Sequence, residues 1–105
     1  MAALVTLVTG CIFPKAGALP PPLTAVEVAR AQARWPDASE TTLATGRDLF
    51  ASHCNACHSY PDVAAIPEDR WRPILAKMSR KAGLDQGQDE AVLRFILVAR
   101  AGSAP

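Results

Sequence analysis

Apolar positions return every three or four residues along most of this 105-residue chain, the period of helices that rest on a core by one face. Leu43, Gly46, Leu49 and Phe50 form one such stripe, and Trp71, Ile74, Leu75 and Met78 form a second. Val92, Leu93, Phe95, Ile96 and Ala99 form a third. An earlier segment, residues 25–35, is rich in helix formers; Thr24 precedes it, Glu27 completes a capping box and Pro36 stops it. Ser39 and Thr41 or Thr42 are suited to cap the helix of the first stripe, which runs to about Ser52. Glu68 and Asp69 favour the start of the next helix, which ends near Gly83. Residues 85–88 read as a turn, and Gly102 and Pro105 end the last helix. No segment alternates as a strand would, so the chain reads as all-α and, at its length, as one domain.

The N-terminal quarter follows a different rule. Residues 1–13 are nearly all apolar or small, but a bilayer-spanning helix needs roughly 20 consecutive apolar residues. The run Val8-Thr9-Gly10-Cys11 resembles the lipobox of bacterial lipoprotein signal peptides, although no basic residue precedes Lys15. That resemblance implies cleavage before Cys11, acylation of its thiol and a place on the periplasmic side of a bacterial membrane. The alternative is an apolar arm with a buried cysteine. Pro14, Pro20, Pro21, Pro22 and Gly17 then forbid a continuous helix and predict an extended tether. The expected organisation is a signal segment over 1–11, a proline-rich linker over 12–23 and a domain over 24–105.

Composition narrows the chemistry. Lys and Arg number 11 against 10 Asp and Glu, a net charge of +1, which argues against a nucleic-acid partner. Half of the residues are hydrophobic but only 6% are aromatic, so the core is short of the large rings that fill small domains. Another source of bulk is expected. Three cysteines cannot all pair with one another, and Cys11 stands far from Cys54 and Cys57.

The sequence Cys54-Asn55-Ala56-Cys57-His58 is the C-x-x-C-H signature of covalent c-type haem attachment. Two thiols one turn apart can add across the two vinyl groups of the porphyrin, and the next residue brings its imidazole under the iron, so His58 is the expected proximal ligand. Three other readings compete. A thioredoxin-like disulfide belongs in a strand-to-helix unit, which this pattern lacks. A closed zinc site needs four ligands, and beyond the motif only His53 and remote Cys11 remain among His and Cys. The third is a chance match.

With a glycine and an aromatic on the preceding helix (Gly46, Phe50), the attachment motif, and an aromatic on the last helix (Phe95), the chain over residues 43–101 resembles the small class I c-type cytochromes. The resemblance implies a compact cytochrome c-like fold of about four helices around one covalently bound haem c, with an unstructured N-terminal tether. It also implies that Phe95 packs across the first of these helices, where Gly46 permits close approach. Members of the family commonly place a methionine sulfur on the opposite haem face. Met1 lies in the signal segment, which leaves Met78, twenty residues after His58 and in a helix rather than on a longer loop. Met78 as plain core packing, with an open or otherwise ligated iron, is the alternative. His53, fastened beside Cys54, is poorly placed for the far face, and Lys77 or Lys81 would have to lose a proton to bind metal. Trp71 could line the haem cavity or simply pack.

An iron with both axial positions filled by His58 and Met78 suits a one-electron carrier and not an enzyme. The alternatives are a haem-based sensor or peroxidase-like subunit with an open distal site, and a non-haem interaction module with Cys54 and Cys57 paired. Expected partners are redox proteins or a haem-containing complex, with membrane association through lipidated Cys11. Arg70, Arg72, Lys77, Arg80 and Lys81 form a basic cluster. It reads as a solvated helix face, or as a surface that steers an acidic redox partner.

Overall fold

Local side-chain capping marks where three of the four helices begin. In the computed structural model, which describes residues 16–53 and 60–103, the first helix, α1, spans Ala25–Arg34, and Thr24 and Glu27 close the expected capping box around its start. The second, α2, spans Glu40–His53. Ahead of it the Thr42 amide donates to the Ser39 hydroxyl oxygen at 3.0 Å, and the Ser39 amide donates back to Thr42 Oγ1 at 3.2 Å. The third, α3, spans Glu68–Ala82 with Glu68 and Asp69 in its first turn, and ends at Gly83, whose φ of 73° is the left-handed cap that glycine adopts without strain. The last, α4, spans Gln86–Ser103.

Three expectations are corrected. Residues 85–88 are not a free turn: the Gln88 amide donates to Asp85 Oδ1 at 2.8 Å and the Asp85 amide to Gln88 Oε1 at 2.9 Å, a reciprocal cap that starts α4 at Gln86. Strand pairing is also present: β1, Ala16–Gly17, pairs antiparallel with β2, Tyr60–Pro61. The tether is therefore not unstructured over 16–23. The Pro20 carbonyl accepts a hydrogen bond from Arg47 Nε at 2.9 Å, and Leu19 and Leu23 pack against the core. Proline keeps this segment out of a helix, as expected, but leaves its carbonyls and apolar side chains free to bind the domain.

The core forms chiefly where α4 lies across α2, with α1 and α3 on its flanks. Gly46 is buried at that crossing, and a Cβ there would lie 2.7 Å from the Ala91 carbonyl carbon and 3.2 Å from Phe95 Cβ. A backbone group cannot swing aside as a side chain can. Gly46→Ala is accordingly expected to push the two helices apart at a cost of about 1–3 kcal/mol, within the range for overpacked cores, read as a lower urea midpoint with an unchanged slope. Phe50 and Phe95 meet beneath this crossing with ring centroids 6.0 Å apart.

Polar contacts tie the periphery. Arg94 bonds Glu90 and Asp37 at 3.2 Å each and lies over the Trp35 ring, which Arg34 also approaches. The Arg100 guanidinium holds the loop before α3 through the Ile66 carbonyl at 3.2 Å. Arg34 and Glu68 join α1 to α3. Its hydrogen bond from Arg34 holds the Glu68 carboxyl below the usual carboxylate range; the charges of Arg34 and Arg100 add to this and partial burial opposes it. A lowered folded pKa makes this contribution present above about pH 4.5 and lost as pH falls through the folded value. Both side chains are nearly half exposed, so Glu68→Gln should cost less than about 1 kcal/mol at neutral pH and nothing in strong acid, measured by denaturation across that window.

Candidate functional site

In sequence the C-x-x-C-H pentapeptide comes directly after α2. Cys54, Cys57 and His58, like Cys11, lie outside the described residues, so the structure reports on the frame around them. Upstream, α2 delivers the chain as far as His53, which is exposed at the helix end. Downstream, Tyr60 turns back onto the same helix. Its hydroxyl donates to the Ala51 carbonyl at 3.1 Å, and its ring stacks on Phe50 with centroids 5.7 Å apart. Its backbone is paired with Gly17. Tyr60 is thus held to the last turns of α2 by its ring and hydroxyl, and to β1 by its backbone.

Facing this helix end is α3. Met78 is half-buried on the stripe begun by Trp71 and Leu75, and with His53, Leu75, Ser79, Ala82, Leu84 and Val92 it lines one small cavity. The cavity measures about 20 Å³, so these side chains form a wall, closed against one another, and not a chamber. Beside Met78, the buried Ser79 hydroxyl bonds the Asp89 carboxylate. This clasp ties α3 to α4 at the level of Met78 and satisfies the buried Ser79 hydroxyl.

The sequence reading set His53 apart from Met78 on geometric grounds, and the structure brings both to the same wall. The covalent tie to Cys54 limits His53 to the neighbourhood of the attachment segment, but α3 itself approaches that neighbourhood. Trp71 is a core residue: it is 1% exposed and its indole N–H donates to the Val63 carbonyl at 3.3 Å. Tyr60 and Ser79 were not singled out from the sequence. Neither position carries a local signal, because the partners of both side chains are set by tertiary packing.

By their chemistry, two thiols, an imidazole and a thioether are donors suited to a covalently held iron porphyrin. The thioether of Met78 is half-buried beside Leu75, Ala82, Leu84 and Val92. Among the described residues no three side chains of the His, Cys, Asp and Glu types gather to hold a metal ion. The basic residues Arg70, Arg72, Lys77, Arg80 and Lys81 are all exposed on α3, and Arg72 reaches Glu90 at 3.3 Å. No helix among the described residues is long and apolar enough to cross a membrane. Set against models of known protein families, against curated proteins and against solved structures, the chain matches none of them.

Proposed function

We propose that this chain is a one-electron carrier of the c-type cytochrome kind, with a single haem c bound through Cys54 and Cys57. His58 and Met78 are the axial ligands in this reading. The observation that carries it is the shared wall of Met78 and His53, since His53 is bonded directly to Cys54 and the wall therefore adjoins the attachment segment. When bound, the haem supplies an iron that gains and loses one electron, at a potential that His/Met ligation raises. The protein's part is to hold still. Tyr60 is fastened to the end of α2 just after His58 in sequence, the Ser79–Asp89 clasp fixes the helix that offers Met78, and Leu75, Ala82, Leu84 and Val92 give that side chain apolar neighbours.

The carrier is held on the periplasmic side of a bacterial membrane by acylated Cys11, and it exchanges electrons with redox proteins or a haem-containing complex. Exposed Lys77, Arg80 and Lys81 lie on the helix that offers Met78, a charge pattern suited to an acidic partner.

Visible and near-infrared spectra in both oxidation states test the ligand set. The native protein should show the sulfur-to-iron absorption of a thioether ligand and resist carbon monoxide when reduced. Met78→Ala should lose that absorption, bind carbon monoxide readily and shift to a lower potential, while His53→Ala should keep all three native properties. Rapid carbon monoxide binding by the native protein would instead favour a sensor or peroxidase-like subunit with an open distal position.

A further inference from the structure

A net charge of +1 conceals a division. Five of the 11 Lys and Arg residues fall between positions 70 and 84 and none of the 10 Asp and Glu does, so the rest of the chain carries six basic residues against ten acidic ones. The structure sorts the basic residues a second way. Arg34, Arg47, Arg94 and Arg100 serve the fold, through Glu68, the Pro20 carbonyl, Glu90 with Asp37, and the Ile66 carbonyl respectively. On α3, Arg72 reaches Glu90. Arg70, Lys77, Arg80 and Lys81 are exposed there and make no ion pair or side-chain hydrogen bond among the described residues. At about 100° of turn per residue, Arg70, Lys77 and Lys81 lie within about 40° of arc along about 16 Å of helix, with Arg80 to one side.

We infer that this face of α3 rests on an anionic phospholipid surface. The fold makes no use of Arg70, Lys77, Arg80 and Lys81, and their long side chains, with no partner on the protein, can each follow a headgroup phosphate. The choice of a bilayer over a protein rests on register. An acidic protein must meet the row with carboxylates at set positions, whereas a sheet of headgroups presents anions at every position. Each cation near such a surface strengthens binding about five-fold, so the whole row strengthens it by roughly a thousand-fold. The attraction falls off within about 8 Å at physiological salt, so acidic residues held farther from the headgroups than that are little repelled. This inference goes beyond the carrier reading and needs neither haem nor an acylated Cys11. Headgroups and an acidic redox partner would compete for the same cations.

The test uses the full chain, matured in a bacterial host, and a lysine-acetylating reagent. The protein is mixed with vesicles of phosphatidylcholine alone or of phosphatidylcholine and phosphatidylglycerol in equal parts, and peptide mass spectrometry reads the rate of acetylation at Lys77 and Lys81. Phosphatidylglycerol should slow both at least about five-fold. Salt at about 1 M, which shortens the screening length to about 3 Å, should remove the difference. The double variant Arg70→Gln/Arg80→Gln changes only exposed side chains. It should keep the native circular dichroism, weaken the contact about 25-fold and lose most of the slowing. Equal rates on the two kinds of vesicle, or slowing that survives in the double variant, would overturn the proposal. Slowing by polyglutamate with none on vesicles would overturn it too, and would assign the face to an acidic protein. Each of these failures leaves the carrier reading standing, because the visible spectrum and the mass of the N-terminal peptide report haem and acylation separately.

Discussion

Cys57→Ala should yield little stable coloured protein. The residue supplies one of two thiols that can bond the porphyrin covalently, and its loss leaves the ring fastened at one edge only. Little else in the chain can take over. The cysteine outside the motif, Cys11, lies far away in sequence. The core is short of aromatic mass, and in the proposed reading a covalently held macrocycle adds a large apolar plane to it. Protein that fails to take up haem should therefore be less stable and be removed by proteolysis in the cell. Denaturing gels stained for haem, and the intact mass, check this. Normal accumulation of Cys57→Ala with full covalent colour would contradict attachment at this site.

Phe50→Ala should lower stability by about 3–5 kcal/mol, a large share of the roughly 5–15 kcal/mol that a domain of this size commands. Phe50 is fully buried, with the Tyr60 ring 5.7 Å away and the Phe95 ring 6.0 Å away. Truncation removes the transfer free energy of a whole ring and leaves a cavity that two aromatic neighbours cannot fill without moving. Phe50→Leu retains much of the volume and should cost less than about 1.5 kcal/mol. Chemical denaturation followed by far-ultraviolet circular dichroism measures both. A cost near zero for Phe50→Leu would show that the ring stack contributes nothing beyond filled space. Tyr60 loses its stacking partner in the alanine variant but keeps its bond to the Ala51 carbonyl, so covalent haem attachment should decline less than stability does.

Much of the helical architecture was legible because its determinants are local. The Thr24–Glu27 box, the stripe spacings and Gly83 all act within a few residues, and the observed helices begin or end within a residue or two of where those signals place them. The Asp85–Gln88 cap was legible in principle, but four polar residues between two apolar stripes read equally well as a turn. The β1–β2 pair could not be read at all. Two residues per strand carry no alternation, and the partners are separated by the whole of α1 and α2. The candidate site divides in the same way. Cys54, Cys57 and His58 announce themselves by contiguity, and Met78 by elimination. The meeting of Met78 with His53, the Ser79–Asp89 clasp and the return of Tyr60 to α2 depend on how α3 and α4 settle, which periodicity does not encode.

The contact between Gly46 and Ala91 also sets an order of events. It joins positions on the second and the last helix, so the tightest junction in the molecule cannot close until nearly the entire polypeptide has been synthesised. The helix that ends at His53 therefore waits, through most of synthesis, for the surface that buries Gly46.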